Sequence, residues 1–376
     1  MLSEDQKLIR DTARAFARDR LAPGAAARDA SGQIEPEILR EMGDLGFLGM
    51  NVDPEFDGAG TDYVSYALAL MEVAAGDGAI STVMSVHNAP FNAILARFGS
   101  DDQKEAILRP AARGEFIGAF ALTEAPAGSD ASALRTTARR SNSGYVIDGA
   151  KEFITSGKIG GQVIIFARLE GSQGKEGITA FVAPTGTEGY EVARVEDKLG
   201  QRCSDTCALR FNAMALPETA RIGAEGEGYR IALASLETGR IGIAAQSVGM
   251  AQAALDMAIT HAGERHSFGK PLMGHQAVAF RLSDLATELE AARQLVLHAA
   301  RMKDAGLPCL KEAAMAKLFA SEAAERIASG ALQTFGGYGY VRDTGIERLY
   351  RDLRVCQIYE GTSDIQKLII ARALAG

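Results

Sequence analysis

The alternation of apolar and polar residues divides the chain into three zones. Over residues 4–113 apolar residues recur every three or four positions, which is typical of amphipathic helices. Over residues 116–222 this period gives way to short β-rich runs separated by turn residues, which is typical of strands. From residue 223 onward the helical period returns. The pattern predicts a helical region, a small antiparallel sheet and a second helical region.

The elements of each zone can be placed from these patterns. In the first zone the helical period appears at Leu8, Ala15, Phe16, Ile38, Met42 and Leu45. The β-rich runs of the middle zone are Tyr145–Asp148, Val163–Ala167, Ile178–Val182 and Ala208–Phe211. In the last zone apolar residues step like the seam of a helical bundle at Leu282, Leu285, Leu289, Ala292, Val296 and Ala299. We expect these residues to build the core of each region.

Composition adds limits to this picture. A chain of 376 residues with 47% hydrophobic residues is long enough for two or three domains with ample core. A net charge of −8 argues against a nucleic-acid partner, because binding phosphates requires clustered Lys and Arg. No run of eighteen apolar residues occurs, and residues 1–5 lack the basic and apolar layout of a signal peptide. We expect a soluble, cytoplasmic protein without a membrane partner.

Cysteine and histidine positions give no sign of a metal site. The four cysteines, which form no C-x-x-C pair, are Cys203, Cys207, Cys309 and Cys356. The five histidines form no H-E-x-x-H or H-x-x-x-H pair. We predict no metal ion, reduced thiols, and structural roles for His87, His261 and His298.

Two glycine-containing segments were candidates for nucleotide binding. Gly337-Tyr338-Gly339-Tyr340-Val341-Arg342 begins like G-x-G-x-x-G, but Arg342 stands at the third glycine position and helical sequence precedes the segment. Gly174-Lys175 is followed by Glu176 and lacks the first glycine of a P-loop. Neither a Rossmann site nor a P-loop is supported, so a nucleotide cofactor would need a different scaffold.

One carboxylate near the C-terminus stands in an unusual setting. Glu360 lies between Tyr359 and Gly361, just before a predicted helix start in which Ser363 can act as N-cap and Gln366 can complete a capping box. Apolar neighbours would raise the pKa of this carboxyl toward values that suit a general base. The alternative is an exposed charge stabilised by the helix dipole. Taken alone, the segment favours the exposed charge.

Four further segments, in order along the chain, share a pattern with a known family. They are Phe120–Asp130 (FALTEAPAGSD), Lys151–Thr155 (KEFIT), Arg265–Pro271 with His275-Gln276 (RHSFGKP and HQ), and Gln333–Gly337, Tyr350–Asp352 and Ile358–Ser363 (QTFGG, YRD and IYEGTS). These segments resemble the motifs LTEPxAGSD, KxWIT, RxxFGxPLxxxQ and the C-terminal signature of the acyl-CoA dehydrogenases. The resemblance covers essentially the whole chain and is strongest to short-chain or branched-chain members.

The resemblance implies a fold and a reaction. It implies an α+β protein with an N-terminal α-helical domain (residues 1–115), a middle antiparallel β domain (116–225) and a C-terminal four-helix bundle (226–376). Family members bind FAD and desaturate an acyl-CoA thioester: a glutamate removes the α-proton and the β-hydrogen leaves as hydride to flavin N5. By resemblance that glutamate is Glu360. The family further implies a homotetramer, arranged as a dimer of dimers, and an electron-transfer flavoprotein as electron acceptor.

The same resemblance assigns cofactor contacts. Those expected from the chain's first two motifs are Phe120, Leu122, Thr123, Gly128, Ser129, Phe153, Ile154 and Thr155. Those expected to reach the FAD of a neighbouring subunit are Arg265, Phe268, His275, Gln276, Gln333, Phe335, Gly336 and Gly337. Thr362 and Asp364 are expected at the helix start after Glu360. The chain departs from the family at Phe153, which replaces a common tryptophan, and at Ala125, which replaces a proline.

Substrate contacts and the base follow from the same comparison. The residues expected to contact the acyl-CoA are Ser129, Glu237, Arg240, Tyr359 and Gly361. In some family members the base lies on an earlier helix, immediately before an arginine, but that position here is Gly239, which cannot be a base. Glu237, three positions before Arg240, is the remaining alternative. The vacancy at Gly239 favours Glu360.

The substrate and the reaction have alternatives. Gly239, Tyr359 and the loop 337–340 resemble members acting on short, branched or small cyclic acyl groups. The same scaffold could instead support an acyl-CoA oxidase or a lyase that uses FAD without net oxidation. A protein of another class, a non-catalytic flavin-binding scaffold, is a further alternative. Anaerobic bleaching of the flavin by acyl-CoA without oxygen uptake would separate the dehydrogenase from the oxidase and the lyase. A DNA-binding titration would test the non-catalytic scaffold, which could be a nucleic-acid-associated relative.

Overall fold

Helices occupy both ends of the chain and a sheet lies between them, in a computed structural model that describes residues 2–375. The N-terminal helices are α1 (Glu4–Phe16), α2 (Ala25–Ser31), α3 (Pro36–Asp44), α4 (Tyr63–Gly76), α5 (Gly78–Val86), α6 (Ala93–Phe98), α7 (Asp101–Gln103) and α8 (Arg109–Ala112). Helix α1 begins with a capping box, since Ser3 accepts from the amide of Gln6 and the Gln6 side chain accepts from that of Ser3. Phe16 and Met42 are buried as predicted, whereas Leu8 and Leu45 are exposed.

The middle strands form one sheet. They are β1 (Gly118–Ala121), β2 (Thr137–Ser141), β3 (Gly144–Thr155), β4 (Gln162–Leu169), β5 (Ile178–Pro184), β6 (Tyr190–Val195), β7 (Thr206–Pro217) and β8 (Arg221–Ile222). Their order is β6-β7-β3-β2-β4-β5-β8, and β1 pairs with β4. Most pairs are antiparallel, but β1–β4 and β2–β4 are parallel. Strand β3 runs antiparallel to β2, and β4 then returns in the direction of β2 and pairs with it in parallel. The alternation pattern does not reveal this parallel pairing.

The C-terminal region consists of long helices. They are α9 (Gly228–Glu264), α10 (Gln276–Asp304), α11 (Leu310–Phe335), α12 (Ile346–Leu353) and α13 (Ser363–Ala375), with the hairpin β9 (His266–Ser267) and β10 (Lys270–Pro271) between α9 and α10. All six residues of the predicted seam are buried on α10. Helix α11 packs against α9, α10 and α13. The predicted fold class, with helical, sheet and helical domains in that order, is confirmed; the domain boundaries stay a prediction.

The two helical regions share one hydrophobic core. Helices α4 and α5 pack on α9, so that Leu70 and Ile80 join Ile241 and Val248 in the same cluster. Two smaller clusters cover the sheet. Burial of apolar surface stabilises such contacts by about 25 cal/mol per Å². Helix α9 is therefore the element against which the N-terminal helices and the C-terminal bundle are both fixed.

Polar features of the described residues bear on the chemistry. The four cysteines are buried free thiols. Between residues 2 and 375, the His, Cys, Asp and Glu side chains form no group of three that could hold a metal ion. Over the same range, none of the helices combines the length and apolar character that crossing a bilayer requires. His87 is buried, accepts from the amide of Gly118 at 2.9 Å and lies 3.0 Å from the carbonyl oxygen of Ala111, which is a structural role.

Candidate active site

The segment that carries Glu360 is a left-handed turn before α13. Glu360 has φ +55° and Gly361 has φ +88°. The left-handed region disfavours a residue with a Cβ atom, so the turn needs support from its surroundings. Two side chains supply it at the carbonyl of Gly361: Gln366 Nε2 donates to this oxygen at 2.8 Å and Lys317 Nζ donates at 2.8 Å.

The predicted cap of this helix is wrong by one residue. Thr362 is the residue whose side chain accepts from a helix amide, that of Ile365 at 3.4 Å, while the buried Ser363 Oγ has no partner among the described residues. Gln366 reaches back, but it donates to the carbonyls of Gly361 and Glu360 and does not accept from the N-cap amide. The left-handed turn directs these two carbonyls toward Gln366, which a capping-box pattern does not anticipate.

The carboxylate of Glu360 occupies the space beside Gly239. A Cβ atom added to Gly239 would lie 2.9 Å from Glu360 Cδ and 2.9 Å from Oε2. Ordinary carbon contacts are wider than this, so only glycine leaves room for the carboxylate in this position. The place that holds the glutamate in some family members is thus filled by the carboxylate of Glu360, which arrives from another part of the chain.

Electrostatics around Glu360 favour proton transfer near neutral pH. The residue is half-buried, but its Oε2 atom is fully buried and has no hydrogen-bond partner in the described protein. Burial raises the pKa of Glu360 to about 7, against the opposing charges of Arg240 and Lys317. Arg240 is buried, and its Nε and Nη1 atoms also have no partner among residues 2–375. The arrangement offers a carboxyl that can take and release a proton.

Lys317 was missed by the sequence analysis. It lies on α11 with Ala313, Ala316 and Ala320 on the same buried face. A lysine at an apolar position of a helical repeat was the available signal, because lysine is rarely buried without a specific contact. Its contact with the carbonyl of Gly361 makes it part of the site.

Tyr359 belongs to a closed ring of hydrogen bonds formed by four side chains. Its hydroxyl donates to Gln246 Oε1 on α9 and accepts from Gln201 Nε2 at 3.3 Å. Thr82 on α5 donates to Gln201 Oε1 and accepts from Gln246 Nε2 at 2.6 Å. We name Thr82, Gln201, Gln246 and Tyr359 the polar ring. The hydroxyl of Tyr359, expected near the substrate, is thus directed into the protein, so any substrate contact must come from the rest of the side chain.

The other expected substrate residues have distinct surroundings. Glu237 is half-buried. Its Oε1 atom accepts from Lys303 Nζ at 2.8 Å and from Cys309 Sγ at 3.5 Å. Ser129 is exposed in the loop after β1. A cavity of about 340 Å³ lies along α9 at Ser235 and Thr238, although Glu360 is not among its lining side chains. The structure brings Gly361, Arg240 and Glu360 together, and Ser129 faces solvent on its loop in the sheet region.

The first two motifs meet side by side in the sheet. The amide of Glu152 donates to the carbonyl of Thr123 at 2.9 Å, which joins the loop after β1 to β3. Phe120 packs its ring against Phe166 with centroids 5.2 Å apart, and Leu122 is buried. The side chain of Leu122 faces the protein, so a cofactor could meet only its backbone, whereas the ring of Phe120 is half-buried and stays partly accessible.

A buried ion pair holds these two motifs together. Lys151 is fully buried and donates to Glu124 Oε1 at 2.7 Å and to the carbonyls of Leu122 and Phe166. Glu124 also accepts from the amides of Arg135 and Thr136. Glu124 and Lys151 stand in the first two motifs, but the sequence alone gives neither of them a role. Their spatial pairing across the motifs is what the sequence does not display.

The edge next to this pair suits a flavin. Phe153 is 65% exposed with φ +59°, at an irregularity in the β3–β7 register. Ile154 beside it is buried, Thr155 is half-buried, and the buried Ser156 Oγ has no partner among the described residues. At Gly128 an added Cβ would meet nothing within 4 Å, so the loop leaves open space. An exposed aromatic ring beside a loop with open space fits an isoalloxazine ring.

The residues expected to reach the FAD of a neighbouring subunit lie toward the opposite end of α9. Phe268 is 95% exposed with φ +49° at the tip of the β9–β10 hairpin. Arg265 lies over the ring of Tyr338 at 5.7 Å, so the hairpin meets the segment after α11. The members of this group that face solvent, or line an open surface, are Arg265, Phe268, Gln276, Gln333, Gly336 and Gly337. Phe335 instead stacks on His261 with ring centroids 4.2 Å apart, and His275 Nε2 lies 3.0 Å from the carbonyl oxygen of Ser267.

Comparisons with known proteins cover the whole chain. Family models described as the N-terminal, middle and C-terminal domains of acyl-CoA dehydrogenase match residues 3–115, 119–214 and 226–375. An acyl-CoA dehydrogenase of Bacillus subtilis is 44% identical over 375 residues, covering 100% of this chain and 99% of the relative. The mitochondrial short-chain specific acyl-CoA dehydrogenase of Bos taurus is 44% identical over 370 residues, covering 98% and 90%.

Solved structures agree. Butyryl-CoA dehydrogenase from Megasphaera elsdenii has a TM-score of 0.98 at 38% identity and covers 100% of this chain and 99% of that one. A glutaryl-CoA dehydrogenase from Mycobacterium smegmatis, in complex with FADH2, has a TM-score of 0.95 at 33% identity and covers 100% and 95%. With three matched domains, full-length relatives and a flavin-bound neighbour, this chain belongs to the acyl-CoA dehydrogenase family of FAD-dependent oxidoreductases.

Proposed function

We propose that this enzyme converts a short-chain acyl-CoA to the 2-enoyl-CoA, with Glu360 as the base that removes the α-proton. The observation that carries the proposal is the Glu360 carboxylate itself. Its Oε2 atom is buried without a partner, it rests against Gly239, and burial raises its pKa to about 7. A base of this pKa is half-ionised at neutral pH and can both accept a proton and release it.

Each neighbouring residue has a part in this chemistry. Arg240 and Lys317 oppose the desolvation of Glu360 and so keep a fraction of the carboxyl ionised. The backbone amide of Glu360 is the proposed donor to the thioester oxygen, where charge develops as the α-proton leaves. Gly361 has no side chain to obstruct the approach of the thioester. FAD, held by the residues around Thr123, Phe153 and Thr155, supplies the acceptor of the β-hydride.

A short acyl group is supported by what lies near the base. One turn beyond Gly239 on α9, a Cβ at Gly242 would lie 2.7 Å from Ser85 Oγ and 3.0 Å from the hydroxyl of Tyr66. Helices α4 and α5 therefore close against α9 here with a buried tyrosine and serine. The short-chain and butyryl specificity of the two relatives described above points in the same direction.

Distance along α9 supports an assembly of more than one chain. At about 1.5 Å per residue, the stretch from Gly239 to Arg265 is roughly 40 Å long, which exceeds the reach of one dinucleotide. Arg265, Phe268 and their neighbours would then serve the FAD of another subunit, and the exposed ring of Phe268 is available for that contact. We include a homotetramer, a cytoplasmic location and an electron-transfer flavoprotein as acceptor in the proposal.

The test is a panel of acyl-CoA thioesters mixed anaerobically with the enzyme while flavin absorbance is followed. We expect butyryl-CoA to bleach the flavin faster than octanoyl-CoA or palmitoyl-CoA, without oxygen uptake when air is admitted. Glu360→Gln should keep yellow FAD and slow bleaching by on the order of 10²- to 10⁴-fold. Glu322→Gln, a carboxylate change on the outer part of α11, is the control. Bleaching of E360Q at the wild-type rate would show that the base is another group.

A further inference from the structure

Lys317 is a buried cation that the proposed proton transfer does not use directly. Its side chain is 0% exposed, and its Nζ atom donates to the carbonyl of Gly361 at 2.8 Å. Burial lowers the pKa of Lys317 to about 8, with Cys356 and Glu360 opposing that effect. An amine is costly to bury, so its retention on an otherwise alanine-rich face calls for a contact that depends on it.

That contact is to the turn that carries the base. The carbonyl of Gly361 accepts from two donors, Lys317 Nζ on α11 and Gln366 Nε2 on α13. Between them they fix the residue pair Glu360 and Gly361, both with positive φ. Because Glu360 carries a Cβ, it would relax out of this conformation if the carbonyl that follows were free to rotate. The carboxylate would then leave Gly239.

The charge of Lys317 also reaches the base. The charged or titratable groups that couple to Glu360 are Arg240 from α9, Lys317 from α11 and Tyr66 from α4. Cys356 in the turn before Glu360, Arg240 on α9 and Glu322 on α11 couple to Lys317. Glu237 couples to Arg240. Among the cations, Arg240 cannot lose its proton at ordinary pH, whereas Lys317 can. Lys317 is therefore the cation near Glu360 whose charge can change with pH.

We propose that Lys317 is the positioning residue of this active site: its ammonium anchors the Gly361 carbonyl and so holds Glu360 against Gly239, while its charge favours the ionised carboxylate. This inference rests on the proposed role of Glu360 as base. It assigns to α11 a part in setting both the orientation and the ionisation of the Glu360 carboxylate on the turn before α13.

The test compares variants that separate the hydrogen bond from the charge. Lys317→Met removes both, Lys317→Gln keeps a donor without charge, and Lys317→Arg keeps the charge. Gln366→Leu removes the second donor to the same carbonyl and leaves the charge of Lys317 in place. Lys367→Met, which removes a half-exposed lysine 3.7 Å from Glu322, is the control for loss of a nearby cation. Flavin reduction by butyryl-CoA is measured anaerobically from about pH 6 to about pH 9.

We expect K317M to slow flavin reduction at neutral pH by on the order of 100-fold, because both the orientation and the ionisation of the Glu360 carboxylate change. The acidic limb of its pH–rate profile should move to higher pH, because loss of the cation raises the pKa of Glu360. Part of the lost rate should therefore return as the pH rises. K317Q should show the same shift with a smaller loss, and K317R should keep the wild-type limb. Q366L should slow reduction with the limb unmoved, and K367M should match wild type.

A crystal structure of K317M gives a readout apart from turnover, and we expect Glu360 to leave its positive φ. Thermal unfolding and FAD absorbance check that each variant is folded and loaded; if K317M does not fold, K317Q and K317R carry the comparison. A wild-type rate and limb in K317M or K317Q, in an enzyme whose E360Q variant is inactive, would overturn the inference alone. Full activity of E360Q would overturn the proposed function instead.

Discussion

Replacing Gly239 by alanine tests the contact that places Glu360, the proposed base. The new Cβ would lie 2.9 Å from Glu360 Cδ, and ordinary contact begins at 3.4 Å, so the carboxylate must move by about 0.5 Å. The carboxylate is the far end of a flexible side chain and can give way without unfolding the helix. Alanine also favours an α-helix over glycine by about 1 kcal/mol. We therefore expect G239A to be as stable as wild type or more stable, and less active.

The loss of activity can be scaled from the displacement. A misplacement of 1 Å in a catalytic group can cost roughly 100-fold in rate, so 0.5 Å corresponds to about tenfold. The assay is stopped-flow flavin reduction by butyryl-CoA, together with thermal unfolding and FAD absorbance. Gly263→Ala is a matched control on the same helix, because a Cβ there would meet nothing within 4 Å. If G239A reduces its flavin as fast as G263A does, the carboxylate does not depend on the space at Gly239.

Three other perturbations have expected outcomes. The rate of flavin reduction should rise with pH through about 7, since burial raises the pKa of Glu360 to that value and only the ionised carboxylate accepts a proton. Burial also raises the pKa of Asp352 to about 7, so Asp352→Asn is the control, and this variant should keep the same rise of rate with pH. Lys151→Met should lower the free energy of unfolding in urea by about 3–5 kcal/mol and weaken FAD retention, because it strands the buried Glu124; an unchanged midpoint would contradict this. Phe153→Ala should leave the free energy of unfolding within about 0.5 kcal/mol but increase FAD loss on gel filtration, and equal retention would count against the flavin contact.

Local patterns predicted most of the fold. The seam on α10 and the strands β3, β4, β5 and β7 follow from periodicity, because side chains that share a face must share an environment. The parallel pairings of β4 could not be predicted, since alternation within a strand does not state which strand lies beside it. The helix cap was misplaced by one residue because Thr362 and Ser363 carry the same capping chemistry.

The candidate site could be located in part from the sequence, and the roles of its residues stay predictions. Glu360 could be located because its neighbours in sequence belong to a recognisable motif. Lys317 could not, since 44 residues separate it from Gly361 and only folding brings α11 to the turn. The fit between Glu360 and Gly239 likewise depends on folding, which brings the turn before α13 against α9. The sequence showed that Gly239 carries no carboxylate, but not that another carboxylate fills its space.

The polar ring has a consequence for assembly. Thr82 comes from the N-terminal helices, Gln201 from a loop of the sheet region, and Gln246 and Tyr359 from the C-terminal helices. The ring can close only after all three regions have docked, and Tyr359 immediately precedes Glu360, the proposed base. During refolding, each region can gain its secondary structure before Glu360 is in place. Recovery of flavin reduction should therefore lag behind recovery of helix and sheet signals, and the rate of that lag would report docking of the three regions.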